Sequence, residues 1–212
     1  MRARIDPLVV RADGAGTAGC TVVKVGGGLL ALERGLAHAC AAITAAHAAG
    51  TPLVVIGGGG PFADAVRRAD ADFHLGDDAA HWMAVTAMDQ LAHWLAARLP
   101  ASMLVLSPYQ AGAALDSGLL PGKAPAAWLR NTDTLPHAWD VTSDSLAAYF
   151  AGAIDAARLV LLKPTAGTLT ELTDAAFAAT VPYGLPVEVA ATRRGKPPPP
   201  KRRGRTPAPI RG

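Results

Sequence analysis

The chain has 212 residues, enough for one α/β domain with a sizeable core, and its hydrophobic content of 50% excludes a disordered protein. It contains no apolar run that could span a bilayer, no signal-peptide block near its start and only two cysteines, so we expect a cytoplasmic protein without a membrane anchor. The net charge of +3 comes from residues 193–212, which hold eight of the twenty basic residues and no acid, and the rest of the chain is acidic.

The composition divides the chain into three parts. Residues 1–19 form a weakly patterned N-terminal segment with one predicted strand over 8–11, and residues 20–191 form the main domain. Residues 192–212 combine the basic cluster with four consecutive prolines, a composition that cannot pack a core, and we expect this tail to be disordered. Such a charge could attract nucleic acid, but we favour a solubilising extension without a specific partner.

Apolar runs and helical spacing predict the elements of the main domain. Strands are predicted over 20–25, 53–56, 102–107 and 158–162, with a last strand near 187–189. Helices are predicted over 29–49, 61–70, 77–99 and 143–153, with a short helix near 173–179. The region 108–139 is predicted to be irregular, with an additional strand over 126–129. This alternation indicates a three-layer αβα fold with a mostly parallel central sheet, whose ligands bind at the carboxyl ends of the strands.

Two glycine runs follow predicted strands, where a strand turns into a helix. The first, Gly26-Gly27-Gly28, follows Lys24, and the second, Gly57-Gly58-Gly59-Gly60, precedes Pro61, which suits the first turn of a helix. Glycines expose backbone N–H groups to an anion, and a lysine in an apolar run needs an anionic partner. The spacing fits neither the dinucleotide fingerprint nor the P-loop motif. The pattern therefore predicts a phosphate site with its own cation.

Lys163 and Asp144 are the next candidates. Before the basic tail the only lysines are Lys24, Lys123 and Lys163, and the first and last of these lie in or just after apolar strands. Asp144 follows Thr142 and Ser143 at the predicted start of a helix, where it could simply favour the positive helix end. Alternatively, its carboxylate orients the two lysines or holds magnesium. The six histidines show no metal-ligand spacing, so we predict no metal ligands among them.

Three motifs resemble those of the amino acid kinase superfamily, and they occur in the same order. They are Lys24-Val25-Gly26-Gly27, Gly57-Gly58-Gly59 with Pro61, and Thr142-Ser143-Asp144-Ser145-Leu146-Ala147. The resemblance covers residues 20–190. Within the superfamily, segments 79–90, 139–145 and 161–163 are most similar to the kinases of methanofuran-type cofactor synthesis. Two departures stand out: the loop Lys163-Pro164-Thr165-Ala166-Gly167 lacks the usual acidic residue, and a late Gly-Gly-Met segment with a downstream lysine does not occur.

The resemblance implies a kinase that uses ATP and Mg²⁺ to convert a phosphomonoester, [5-(aminomethyl)furan-3-yl]methyl phosphate, to its diphosphate. We assign the contact with the transferring phosphoryl group to Lys24 and the orientation of the two lysines to Asp144. Lys163 is expected to neutralise charge on the ADP side. Binding of the ATP phosphates is assigned to Gly26, Gly27, Gly28 and Ser143. Binding of the acceptor is assigned to Gly57, Gly58, Gly59 and Gly60. We expect a small phosphorylated substrate and a homo-oligomer, but no nucleic acid or membrane. The alternatives are a kinase of an amino-acid carboxylate or UMP, and a non-catalytic nucleotide- or oxyanion-binding protein.

Overall fold

The computed structural model describes residues 19–191, so the predicted strand over 8–11 and the predicted disordered tail lie outside the described residues. The strands are β1 (Thr21–Val25), β2 (Leu53–Gly57), β3 (Ser102–Val105), β4 (Leu120–Lys123), β5 (Arg158–Lys163) and β6 (Val187–Ala191). The helices are α1 (Gly35–Ala48), α2 (Gly60–Phe73), α3 (Asp77–Ala96), α4 (Pro108–Asp116), α5 (Ala126–Thr132), α6 (Ser143–Ala153), α7 (Leu169–Leu172) and α8 (Phe177–Thr180). Within residues 19–191, none of the helices combines the length and the apolar character needed to cross a bilayer.

The described strands form one parallel sheet in the order β3-β4-β2-β1-β5-β6. β1 is therefore central, and Lys24 is paired with Ile56 of β2 on one side and with Leu161 of β5 on the other. Because parallel neighbours end at the same edge of a sheet, the first glycine run, the second glycine run and Lys163 all leave the sheet together.

Each face of the sheet has its own apolar core, because successive strand residues point in opposite directions. On β1, the fully buried Val22 packs in a core that contains Phe150 of α6, whereas Val23 packs in a core that contains Ile43 of α1. Lys24 occupies the same face as Val22, which directs its side chain toward α6. The period of two along β1 thus places the predicted site cation on the α6 side.

The region 108–139 is not irregular, because it contains α4, β4 and α5. The strand predicted over 126–129 is wrong, because residues 126–129 belong to α5. Pro125 occupies the N-cap position of this helix, and the backbone N–H of Ala126 donates to Asp89 Oδ1 of α3 at 3.1 Å. α4 starts in the same region after Ser107, whose hydroxyl accepts from the backbone N–H of Gln110 at 3.2 Å. Caps of this kind satisfy N–H groups that a helix leaves unpaired in its first turn.

The helix predicted over 29–49 begins later than expected. Residues 27–31 form a 3₁₀ turn, Arg34 adopts a left-handed conformation with φ of 60°, and α1 starts only at Gly35. The first glycine run therefore does not lie at the N-terminus of an α-helix, whereas the second run leads directly into α2 at Gly60. The helix predicted over 173–179 is also wrong in part, because α7 and α8 are separated by a segment containing Asp174.

Candidate functional site

Lys24, Asp144 and Lys163 form a buried charge cluster at the carboxyl ends of the central strands. Lys24 Nζ lies 2.7 Å from Asp144 Oδ1, and Lys163 Nζ donates to Asp144 Oδ2 at 2.5 Å. The exposed fractions of the three side chains are 4%, 6% and 10% in chain order. Lys163 also donates to the carbonyl oxygen of Leu172 in α7 at 2.6 Å. One carboxylate thus holds two ammonium groups that come from neighbouring strands.

The charges of this cluster are unequal in number. Burial opposes the ionisation of Asp144, but the ammonium groups of Lys24 and Lys163 outweigh it and keep the pKa of this carboxyl below its ordinary value. Burial lowers the pKa of Lys24, and the carboxylate of Asp144 compensates only in part. Two lysines share one carboxylate, and Asp174 adds only a smaller attraction that raises the pKa of Lys24. Within the cluster one positive charge is therefore without a paired carboxylate, and an anionic ligand such as a phosphate would supply the missing negative charge.

Asp174 holds the N-terminus of α6 and thereby fixes Asp144, which lies in the first turn. Its Oδ2 accepts from the backbone N–H groups of Thr142 and Ser145, both at 3.1 Å, and from the Thr142 hydroxyl at 2.6 Å. Its Oδ1 accepts from the Ser145 hydroxyl. Thr142 is the N-cap residue, and its hydroxyl accepts from the Asp144 N–H at 3.4 Å. The carboxylate of Asp144 contacts lysines, and the capping of the helix is left to Thr142 and Asp174.

The two glycine loops touch each other beside the charge cluster. A Cβ atom placed on Gly27 would lie 2.5 Å from the backbone N and Cα of Gly60, a distance that side-chain carbon atoms do not tolerate. A Cβ atom on Gly58 would lie 2.9 Å from Ser143 Oγ and 3.4 Å from Lys24 Cε. Glycine is therefore required here by close approach of backbone to backbone. The structure brings both predicted glycine runs, Ser143 and the charge cluster into one place.

A cavity of about 430 Å³ opens between the glycine loops, α2, α3 and the segment before α6. Gly27, Gly28, Gly59 and Gly60 line it together with Thr142 and Ser143, and Arg67, Asp64, Asp77 and Trp139 contribute charged and aromatic groups. Its volume lies within the range of about 300–1,000 Å³ that is usual for small-molecule sites.

Arg67, Trp139 and Asp174 are site residues that the sequence pattern did not indicate. Arg67 lies two turns into the helix after the second glycine run, pairs with Asp64 at 3.0 Å and stacks on the Trp139 ring at 4.7 Å. The Trp139 indole N–H donates to Asp70 Oδ2 at 2.8 Å. The i,i+3 pair of Asp64 and Arg67 was a local signal that could have been used, whereas nothing in the sequence connects Asp174 to α6.

Comparison with known proteins identifies the group to which this arrangement belongs. A model of the amino acid kinase family matches residues 19–176, about three quarters of the chain. The chain belongs to the amino acid kinase family. A curated relative, the [5-(aminomethyl)furan-3-yl]methyl phosphate kinase of Methanocaldococcus jannaschii, is 28% identical over 144 residues. The match covers 66% of this chain and 63% of the relative, so the chain spans less than two thirds of the length of that kinase.

Solved structures of kinases share the fold. The UMP kinase from Bacillus anthracis superimposes with a TM-score of 0.63 at 14% identity, covering 82% of this chain and 87% of that chain. The uridylate kinase from Archaeoglobus fulgidus superimposes with a TM-score of 0.54 at 16% identity, covering 70% of this chain and 65% of that chain. The predicted three-layer αβα fold with its parallel central sheet is confirmed for this member of the amino acid kinase family.

Proposed function

We propose that this member of the amino acid kinase family transfers the γ-phosphoryl group of ATP to a phosphomonoester. The observation that carries the proposal is the Lys24–Asp144–Lys163 cluster beside two touching glycine loops. In-line phosphoryl transfer needs little covalent chemistry, and positioning together with charge neutralisation supplies most of the catalysis. A buried cluster with one uncompensated positive charge provides both, because its lysines are oriented before the nucleotide arrives.

For the donor, the backbone N–H groups of Gly26 to Gly28 and the Ser143 hydroxyl would bind the ATP phosphates. Lys24 would contact the phosphoryl group in transfer; in support, its Cε lies 3.4 Å from the position that a Cβ atom on Gly58 would take, beside the second glycine loop. Lys163 would neutralise charge on the ADP side, held there by Asp144 and by the carbonyl of Leu172. A phosphate acceptor is already ionised near neutral pH, so its attack needs no side-chain base.

Membership of the family implies that Mg²⁺ binds together with the nucleotide. The residues present fit a Mg²⁺ ion that enters the site bound to the nucleotide phosphates. Both oxygens of Asp144 lie against lysine ammonium groups, at 2.7 and 2.5 Å, which supports the lysine-orienting role of this carboxylate over a metal-ligand role. When bound, Mg²⁺ neutralises charge on the nucleotide phosphates. The chain's own contribution is then to orient these phosphates through the glycine loops and the two lysines.

For the acceptor, we propose [5-(aminomethyl)furan-3-yl]methyl phosphate, the compound named in the curated relative. It combines a phosphate, an aromatic ring and an ammonium group, and the cavity offers a counterpart to each. Gly59 and Gly60 lie at the start of α2 and face the cavity, as does Arg67, and these groups suit the phosphate. The Trp139 ring suits the furan, and the carboxylates of Asp64 and Asp77 suit the ammonium group.

The remaining expectations stay predictions. These are the division into an N-terminal segment, a kinase domain over 20–191 and a disordered basic tail, together with a homo-oligomeric state and a cytoplasmic location. The proposed function does not depend on any of them, because the cavity and the charge cluster lie within the described residues of one chain.

The test measures ADP release by the full chain with Mg²⁺ and ATP, on the furan phosphate, on UMP and on aspartate. We expect turnover with the furan phosphate and a new diphosphate signal in ³¹P NMR. Lys24→Met should lower kcat about 10²–10³-fold, the usual loss when one charge-stabilising group is removed from a transition state. Lys123→Met is the matched control, because it removes another buried lysine that lies outside the charge cluster and donates to the carbonyl of Ala124, and its kcat should stay near wild type.

Wild-type turnover of Lys24→Met would contradict this mechanism, and turnover on UMP or aspartate alone would identify a different acceptor. One observation favours a non-catalytic alternative: the loop after Lys163 contains no acidic residue between Pro164 and Gly167. If ATP protects the protein from thermal unfolding but no acceptor leads to ADP release, the chain is a nucleotide- or oxyanion-binding protein.

A further inference from the structure

Two histidines and one aspartate come together on the α3 side of the cavity, whose wall includes His81. His81 lies in α3, Asp133 directly follows α5, and His137 lies in the segment that leads to α6. The sequence predicted no metal ligands among the histidines, because the six histidines show no metal-ligand spacing. A group that joins His81 to Asp133, 52 residues later, gives no such signal. In the folded chain, one ligand atom from each of these residues lies within 4.8 Å of the other two.

The distances suit a metal ion with nitrogen and oxygen ligands. Asp133 Oδ2 lies 2.8 Å from His81 Nε2 and 3.7 Å from His137 Nε2, and the two imidazole rings stack with their centroids 3.9 Å apart. In a tetrahedral zinc site, bonds of about 2.1 Å separate ligand atoms by roughly 3.4 Å. The observed separations lie on either side of this value. An ion lies in the plane of each imidazole that binds it, and the two rings are nearly parallel, with an interplanar angle of 9°. Metal binding therefore requires one imidazole to turn and replaces the hydrogen bond between His81 and Asp133.

Neighbouring groups hydrogen-bond to two of the three candidate ligands. The backbone N–H of Leu135 donates to Asp133 Oδ1 at 2.9 Å, which leaves Oδ2 directed at the histidines. His137 Nδ1 lies 2.7 Å from Asp78 Oδ1, and donation to this carboxylate leaves the lone pair of Nε2 available. A carboxylate that holds the outer nitrogen of a metal-binding histidine is a recurring feature of zinc sites. The edge of the Trp82 ring borders both imidazoles.

The site is sheltered but can be reached from outside. The exposed fractions are 4% for the His81 side chain, 2% for Asp133 and 27% for His137. Three protein ligands with an accessible side leave a fourth position for water. Imidazole nitrogens favour Zn²⁺ and other first-row transition metals, whereas Mg²⁺ and Ca²⁺ prefer oxygen ligands.

We infer that His81, Asp133 and His137 bind one divalent transition-metal ion of the Zn²⁺ class. The ion connects α3 to the segment between α5 and α6, and this segment contributes Trp139, Thr142 and other residues to the cavity wall. Binding would therefore fix the wall of the cavity against α3. This metal is distinct from the Mg²⁺ that accompanies ATP, and its binding does not depend on the proposed kinase activity.

The test titrates Zn²⁺ into the full chain, produced without a histidine tag and freed of metal, in competition with a chromophoric chelator. We expect one ion per chain, unaffected by excess Mg²⁺. His137→Ala and Asp133→Asn should each lower the affinity about tenfold or more, and Asp78→Asn should lower it about tenfold through the orienting contact. Co²⁺ in place of Zn²⁺ should give the visible absorption of a tetrahedral site, and this absorption should be absent in His137→Ala.

The matched control is His93→Ala, which removes an exposed histidine from the same helix and should bind Zn²⁺ like the wild type. Circular dichroism and thermal unfolding establish that each variant is folded. If His137→Ala does not fold, the exposed Asp78→Asn substitution decides the question. Zn²⁺ affinity equal to the wild type in a folded His137→Ala, or in Asp78→Asn when only that variant folds, would overturn the proposal, as would a wild type that takes up no ion.

Discussion

Lys24 and Asp144 form an ion pair of 2.7 Å although only 4% and 6% of their side chains are exposed. A buried pair of this kind is strongly destabilised when one partner is removed, because the other charge is left without compensation. Here the carboxylate also holds Lys163, so its loss would leave two buried ammonium groups side by side. The orientation of both lysines thus depends on a single side chain.

Asp144→Asn should lower kcat about 10²–10³-fold and change the KM for ATP much less. The amide cannot hold two ammonium groups in place, whereas the glycine backbone that binds the nucleotide is unaltered. Steady-state kinetics with varied ATP separates the two parameters. Asp140→Asn, which alters an exposed carboxylate four residues earlier, is the control and should leave both parameters unchanged. A loss confined to ATP affinity would favour the interpretation of Asp144 as a residue that stabilises the helix end.

Asp174→Ala should destabilise the protein by about 1–3 kcal/mol and also lower kcat. The carboxylate accepts from two backbone N–H groups and two hydroxyls at the start of α6, and these donors would lose their partner. Urea unfolding gives the free energy and a coupled ADP assay gives the rate. Asp116→Ala, at the exposed end of α4, should change neither. If stability falls while kcat stays at the wild-type value, Asp174 does not position Asp144 for catalysis.

Gly27→Ala should weaken nucleotide binding without preventing folding. The new Cβ would lie 2.5 Å from the backbone of Gly60, so the two glycine loops must move apart. The measurement is the increase in unfolding temperature caused by ATP, which should be smaller than in the wild type. Gly122→Ala is the comparison, because a Cβ there meets no atom closer than 3.5 Å. Full ATP protection in Gly27→Ala would show that the contact between the loops does not matter for the nucleotide.

Lys123 is a third buried lysine, and within residues 19–191 it has no carboxylate contact comparable with that of Lys24. Its ammonium group donates to the carbonyl of Ala124 at 2.9 Å and lies 5.5 Å from the ring centroids of Trp128 and Phe150. Burial lowers the pKa of Lys123 to about 8, although Asp89 opposes the change. Keeping this lysine charged therefore costs free energy in the folded protein.

Lys123→Met should stabilise the protein near neutral pH, and this advantage should shrink as the pH rises. Because the pKa falls from 10.5 in the unfolded chain to about 8, the unfolded chain binds more protons between these values, and wild-type stability gains with pH there. The gain in the wild-type free energy of unfolding over this pH range is about 3 kcal/mol at most. Urea unfolding from pH 7 to 10 measures the difference in the free energy of unfolding between the wild type and Lys123→Met. The effects of Lys24 cancel in this difference, because both proteins contain that residue. A constant difference over this range would contradict the lowered pKa of Lys123.

Local signals in the sequence predicted much of the fold. β2 was found because four consecutive apolar residues lie between a helix end and a glycine run, and the start of α6 was found at Ser143 from its capping residues. β4 was missed because Pro121 and Gly122 both disfavour strands. Pairing on both sides, with β2 and β3, overrides this local preference.

The site could be predicted where its residues lie next to local signals. Lys24 and Lys163 were chosen because a charge in or beside an apolar run is costly without a partner. Asp144 was chosen because it follows Thr142 and Ser143 at a predicted helix start, and the structure brings all three side chains together. Their catalytic roles stay predictions. Asp174 and the contact of His81 with Asp133 arise from segments far apart in the chain, so no spacing in the sequence could indicate them.

Hydrogen bonds connect the segment between Lys163 and Asp174 to the site at both of its ends. Lys163 is bound to the carbonyl of Leu172 within it, and Asp174 is bound to the first turn of α6. Local unfolding of these few residues would release the donor-side ammonium group and expose the start of α6 in a single step. The amide protons of this segment and those of the first turn of α6 should therefore exchange with solvent at similar rates, as one cooperative unit that a bound nucleotide slows.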